Sequence, residues 1–287
     1  FDAPLAGDSR ANNFYAIRSR ETRDAWRFFC HDTEHSMLRP NENRMGPFPA
    51  GTQKVHFNPQ YLHQQLMPSD AYRLAFADRV RREFFNDGLF TLDAARARWN
   101  ARRDEIDLAI IAESARWGDQ HENTPYTKAH WLEENRWVLN DYMSERTQTV
   151  FNQIKFVGLT GDLQTPEFSQ HGGIVENPDS FKFKFTVGTL FSPQPGDIYY
   201  TIDGSDPKMP DGSVAPSAVI YDRNGGGDAL VTTATVSVRL VHEERWSPLN
   251  EATFILGGVL ATAENLVISE IMYNPVAPSE ASAFPKE

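Results

Sequence analysis

The chain holds one cysteine, Cys30, in 287 residues. No disulfide can therefore form within it. That is compatible with a cytoplasmic protein and equally with a bacterial surface protein that avoids cysteine. No apolar run approaches the roughly 20 residues that a membrane-spanning helix needs. An initiator methionine and a basic-then-apolar leader are also lacking. The chain opens Phe-Asp-Ala-Pro-Leu, so it is expected to start downstream of the native N-terminus, by processing or by cutting. No internal repeat occurs. The glycine-rich stretch 224–228 is followed by neither a helix nor a lysine, so it reads as a loop and not as a phosphate-binding turn. Basic residues are scarce in the second half. Residues 1–155 carry 21 Lys/Arg and 22 Asp/Glu, whereas residues 156–287 carry 7 and 17, most of the net charge of -11. Nucleic acid and anionic membranes select basic surfaces, so neither is expected as a partner.

What is present suffices for packed cores: 40% apolar and 23% charged residues, at a length suited to about two domains. The first half reads as helical. Ser69 is placed to cap a helix in which Tyr72, Phe76, Val80 and Phe84 recur every fourth residue, ending near Asp87-Gly88. Thr91 is placed to cap a second helix that runs through strong helix formers to Gly118. A third is expected from about Ala129 to Lys155, with Leu132, Leu139, Met143, Val150 and Ile154 inward. Trp99, Trp117, Trp131 and Trp137 fall at helical positions and are expected in the core.

The pattern changes after Gly158. Residues 181–187, FKFKFTV, alternate strictly, as a half-buried strand does. Strands are also expected within 197–207, 229–241 and 251–256, separated by Gly, Pro, Asp and Asn. Such spacing indicates an antiparallel β-sandwich. Asp203-Gly204 is a hairpin-turn signal, Pro207 ends its strand, and Trp246 is expected to plug the sandwich. A further strand within 264–275 begins something new, and the chain then runs out in a polar, proline-containing tail.

The chemistry concentrates in residues 28–38, FFCHDTEHSML. Trp26 to Cys30 suits a buried strand, with His31, Asp32, Thr33 and Glu34 at its C-terminal end. Three readings compete. His31 and His35 would chelate zinc if a helix brought them to one face. Asp32 and Glu34, on one side of an extended segment, would hold Mg²⁺ or Mn²⁺, which prefer oxygen ligands. The third reading is a polar turn with no task. Upstream, Asp8 is followed five residues later by Asn13. That spacing is the one kinase-type phosphoryl-transfer loops use, the Asp orienting the acceptor hydroxyl and the Asn holding a metal. Asp32 lies 24 residues past Asp8, which leaves room for a small hairpin between them. Five further histidines, His56, His63, His121, His130 and His171, are scattered and expected in loop or packing roles.

Over about residues 1–158 the chain resembles the CotH kinase family, the spore-coat-protein-H-like atypical kinases found in multidomain bacterial surface proteins. The resemblance rests on NNFYAIRSR, WRFFCHDTEHSML, NPQYLHQQLM, YRLAFADRVRREFFNDG, EIDLAIIAESARWGD and RTQTVFNQIKFVGL. It implies ATP-dependent phosphoryl transfer to protein with Mg²⁺ or Mn²⁺. Asp8 would be the catalytic-loop aspartate, with Asp2 as the rival position. Asn13 and Asp32 would be metal ligands, and Glu34 the second acidic residue that relatives carry. No glycine follows Asp32, so the comparison with a DFG motif covers the aspartate alone. The nucleotide-binding lobe would lie upstream of residue 1, and catalysis by these residues alone is not expected.

Residues 159–257 are similar to the β-sandwich at the C-terminus of chitobiases and hexosaminidases, the FN3-associated domain. Residues 258–287 resemble a linker and the opening strand of a lamin-tail domain. The expected whole is a multidomain α+β protein: a mainly helical kinase-like C-lobe, then an antiparallel immunoglobulin-like sandwich. Its location would be extracellular or on a bacterial cell surface. Its partners would be a protein substrate or a cell-envelope component, with glycans as a further candidate. A non-catalytic surface or adhesion protein with a kinase-like scaffold is the rival reading, and a carbohydrate-binding module the third. For the last, Tyr199, Tyr200 and Trp246 would form a sugar platform. Asp203, Ser205 and Asp206 read as calcium ligands or, more simply, as turn formers.

Overall fold

Apolar side chains at every fourth position organise the helix over residues 70–84. The computed structural model describes residues 14–22, 25–31, 36–45, 59–120, 124–189, 192–259, 262 and 264–266. A two-stranded antiparallel ribbon, β1 (Phe14–Ile17) and β2 (Arg27–Cys30), precedes α1 (Pro59–Leu66) and α2 (Asp70–Phe84). Ser69 is extended, and its hydroxyl accepts the Tyr72 N–H at 3.3 Å, the expected N-cap. Val80 is buried with Ile154 and Leu159, and Phe76 and Phe84 pack beside them. Helix α2 stops at Phe84, and Asn86 takes a left-handed conformation at φ 56°.

The second expected helix is two: α3 (Leu92–Ile106) and α4 (Ala109–Trp117), interrupted at Asp107 and Leu108. Thr91 precedes α3, but its hydroxyl donates to the Gly88 carbonyl at 2.8 Å and leaves the helix uncapped. The third becomes α5 (Lys128–Trp137) and α6 (Met143–Phe156), joined without a break by a π-helical turn at Val138–Tyr142. Arg96 of α3 grips that turn, donating Nε and Nη2 to the Leu139 carbonyl at 3.0 and 2.8 Å. Beside it the Trp99 indole donates to the buried Asn135 amide oxygen at 2.8 Å. Such turns insert one extra residue and free a carbonyl for an outside donor.

Two inward assignments fail. Leu132 is 47% exposed and Trp117 is 46% exposed. Helix α4 buries no residue, so its aromatic end has no second layer to enter, and Arg116 covers the Trp117 ring at 4.7 Å instead.

The β half comprises β3 (Glu167–Phe168), β4 (Gly173–Val175), β5 (Lys182–Phe183), β6 (Phe185–Thr186), β7 (Gly188–Thr189), β8 (Ser192–Pro193), β9 (Asp197–Thr201), β10 (Val219–Ile220), β11 (Asp228–Ala229), β12 (Ala234–His242), β13 (Arg245–Trp246) and β14 (Asn250–Leu256). The main sheet runs β10-β9-β12-β14-β4, with β13 beside β12. All its pairs are antiparallel except β14 with β4, which is parallel. The chain is thus α+β, and its main sheet departs from the purely antiparallel expectation at one edge. The FKFKFTV alternation holds in burial, with Phe183 and Phe185 inside. It is nevertheless split, since β5 pairs β11 and β6 pairs β3. Asp203-Gly204 turns the chain, with Gly204 at φ 76°, but closes no hairpin: β9 ends at Thr201 and β10 starts at Val219.

The core gathers Phe183, Phe185, Ile198, Tyr200, Val236, Val238, Leu240 and Phe254. Trp246 is buried outside that cluster, where its indole donates to the Gly212 carbonyl at 2.9 Å. Strand β12 is buried on both faces. Val236, Val238 and Leu240 face the core, while Ser237 and Arg239 face the other way and are equally hidden. The β14 side of this sheet lies against α2. Among the described residues, no helix is long and apolar enough to cross a membrane.

Candidate functional site

The ribbon sits where the sequence leaves room for it, between Asn13 and Asp32. Its register pairs Phe14 with Cys30 and Ile17 with Arg27. The chain therefore enters β1 and leaves β2, through His31, at one end of the ribbon. The proposed site residues Asp8, Asn13, Asp32 and Glu34 lie outside the described residues, as do His35, His56 and His121. The frame that holds their neighbours is described.

Strand β2 forms as expected but is not buried. Trp26 is 48% and Tyr15 54% exposed, because a two-stranded ribbon covers neither of its own faces. Tyr15 stacks across the ribbon on Phe29, centroids 5.3 Å apart, and on His31 at 5.9 Å. The backbone is strand through Cys30, with no helical turn at His31. The partner in a His31/His35 chelate, His35, lies outside the described residues. Among the described residues, no three His, Cys, Asp or Glu side chains are grouped to hold a metal.

Downstream of Glu34 the chain is strapped to α6. Arg146 donates to the carbonyls of Pro40 and Glu42 at 2.9 and 2.6 Å. Gln153 donates to those of Asn41 and Glu42 at 3.3 and 3.2 Å. Met45 then packs against the helical core. In the sequence, the described residues before position 32 belong to a ribbon and those at 40–42 to a backbone strap. Both strap residues belong to the RTQTVFNQIKF helix.

A second polar centre joins the two halves. Arg239, 2% exposed, donates to both oxygens of Asp78 on α2 at 2.8 Å and to both of Asp206 at 2.7 Å. It also donates to the Ser247 carbonyl at 2.8 Å. Asp78 accepts in addition the Leu249 N–H at 2.8 Å. Burial by itself raises the Asp206 carboxyl, but the hydrogen bonds and charge of Arg239 outweigh it and hold the group below its ordinary value. Burial likewise lowers Arg239, and the two carboxylates more than reverse this, so the guanidinium stays charged. One helical turn along α2, Arg81 makes a two-pronged pair with Glu167 of β3 and lies 4.4 Å over the Phe85 ring. Clefts of about 420 and 370 Å³ flank this pair, and Arg81 and Phe85 line both.

His63, His130 and His171 pack or cap. His63 meets the Tyr72 hydroxyl at 2.6 Å, and burial lowers its basicity. His130 accepts the Thr127 N–H at 3.0 Å. His171 meets Asn250 at 3.2 Å. The three aromatics of the sugar-platform reading share no surface, since Tyr200 and Trp246 are buried and Tyr200 belongs to the core. Asp203 accepts from the Ser205 N–H and hydroxyl at 2.9 and 2.6 Å, while Asp206 is held by Arg239. These are turn formers, and Asp206 already accepts from Arg239 and from the Lys208 N–H.

The sequence reading missed Arg239, Asp78, Arg81 and Glu167. One signal was available: an arginine at the centre of the apolar run VSVRLV marks a buried pair, because an unpaired charge there would be prohibitive. No known family model, curated protein or solved structure matches this chain.

Proposed function

We propose that residues 1–158 form the C-terminal lobe of a CotH-type atypical protein kinase, carried with an immunoglobulin-like sandwich of the FN3-associated kind on a bacterial cell surface or outside the cell. The observation that carries this reading is the β1–β2 ribbon, placed between the two halves of the motif that would have to converge. A D-x4-N loop followed by a hairpin and a metal-binding aspartate is the order of parts in kinase-type phosphoryl transfer. The α6 strap adds support, since it fixes the chain just past Glu34 through two residues of a motif shared with that family.

In this reading Asp8 accepts a hydrogen bond from the acceptor hydroxyl and orients it. Asn13, Asp32 and Glu34 supply amide and carboxylate oxygens, a donor set that suits Mg²⁺ or Mn²⁺ better than softer metals. The bound cation would neutralise charge on the nucleotide phosphates. No phosphate-covering lysine is assigned among these residues, so metal binding is the property to test on this chain. Titration with Mn²⁺, followed by its electron paramagnetic signal, is expected to show saturable binding that Asp32→Ala removes. Equal binding by wild type and Asp32→Ala would overturn the assignment.

A further inference from the structure

The acidic β half contains few cations, and most of them are engaged. Arg239 is buried between two carboxylates. Arg223 donates to the carbonyls of Gln194 and Gly196. Arg245 pairs with Glu243, and Lys208 donates to the Met209 carbonyl. Lys182 and Lys184 differ. Both are exposed, two residues apart on one side of the FKFKFTV segment, and no described carboxylate lies within 4 Å of either. Their stems are seated against the glycine-rich turn, where a Cβ on Gly227 would lie 2.7 Å from Lys184 and 3.2 Å from Lys182. The turn needs glycine for its φ of 105° and for the Phe183 carbonyl, which a Cβ would meet at 2.7 Å, and the Lys184 stem passes equally close.

Both lysines line a groove of about 650 Å³ with Ile174, Val175, Phe181 and one carboxylate, Glu176. That groove runs along β4, the last strand of the main sheet. β4 pairs β14 on one side, and among the described residues no backbone hydrogen bond reaches it from the other. An edge strand with free N–H and C=O groups is a template for another strand. Two lysines against the single carboxylate of Glu176 leave the groove net positive, and a net positive groove selects an acidic strand. The opposite edge, β10, exposes Val219 and Ile220 with no cation on the strand.

We propose that the free edge of β4 takes an extended acidic peptide from a partner protein as an added strand, with Lys182 and Lys184 holding its carboxylates. Main-chain bonds would supply the geometry and the lysines the choice of partner, the usual division in strand addition. This inference does not depend on the kinase reading.

The test uses the whole chain and fluorescein-labelled octapeptides in an anisotropy titration. The probe is four Val-Glu repeats, compared with four Val-Lys repeats and with the Val-Glu peptide N-methylated at alternate backbone nitrogens. Saturable binding of Val-Glu is expected, weakening with added salt. K182E/K184E should weaken it by about tenfold or more. The N-methylated peptide keeps every charge and should not bind. Absence of Val-Glu binding would overturn the proposal. So would equal binding of the N-methylated peptide, which would mean charge adhesion without an added strand.

Discussion

Replacing Arg239 by methionine tests the junction between the halves. The substitution keeps the length of the apolar stem and removes a guanidinium that meets two carboxylates and a carbonyl. Asp78 and Asp206 would remain with no opposing charge. Removing one partner from a buried pair costs about 3–5 kcal/mol. The carboxylates retain some access to water, their side chains being 23% and 38% exposed. Each also keeps one backbone N–H, from Leu249 and Lys208. The expected cost is therefore at the lower end, about 3 kcal/mol. With a urea dependence of about 3 kcal/mol per molar for a chain of this size, the unfolding midpoint should fall by about 1 M. Far-UV circular dichroism reports the helices, and tryptophan fluorescence reports residues in both halves. Both signals should move together, because Asp78 belongs to α2 and Arg239 to β12. Combined with Asp78→Asn, the variant should show a coupling of at least about 1 kcal/mol. A cost below about 1 kcal/mol, or strict additivity, would refute the view that this arginine locks helix to sheet.

The same centre sets a pH dependence. The folded-state value of Asp206 lies below its ordinary one. Its stabilisation is therefore complete above about pH 4, the unfolded value, and is lost as pH falls through the folded value. The gap between wild-type and Arg239→Met urea midpoints should narrow from pH 5 to pH 2, and a constant gap would contradict the assignment. Gly172→Ala should cost at least about 2 kcal/mol, since Gly172 has φ 65° and its Cβ would fall 2.6 Å from the Thr253 carbonyl; a change under about 0.5 kcal/mol in urea unfolding would mean the β4–β14 pairing is placed differently. Trp117→Ala should cost under about 1 kcal/mol whereas Phe254→Ala should cost about 3–5 kcal/mol, because the first is 46% and the second 0% exposed. A reversal of that order in thermal unfolding would contradict the packing of α4.

Elements governed by local physics were legible in the sequence. The Ser69 cap, the four-residue stripe of α2 and the alternation of 181–187 each follow from hydrogen bonding or burial within a few residues. The interruption of the second helix at Asp107 and the π turn at Val138–Tyr142 were not. Both stretches consist of good helix formers, and the π turn is tied to Arg96 of another helix. Trp117 and Leu132 were assigned inward because periodicity gives a helix its apolar stripe without saying whether a second layer reaches it. The Arg239 junction needed knowledge of which elements meet, since Asp78 is 161 residues away. The ribbon ahead of Asp32 was anticipated from spacing, and its exposure was not, for the same reason as Trp117. The candidate site itself rests on Asp8, Asn13, Asp32 and Glu34, which lie outside the described residues, so the sequence carries that part of the account.

The proposed activity is phosphoryl transfer through a metal held by Asp32. The direct measurement is transfer of labelled γ-phosphate from ATP to protein by the product of the complete reading frame, wild type against Asp32→Asn, with and without Mn²⁺. Metal-dependent labelling is expected in the wild type, with a loss of at least about a hundredfold in the variant. Undiminished labelling by Asp32→Asn, or none by the wild type, would contradict it.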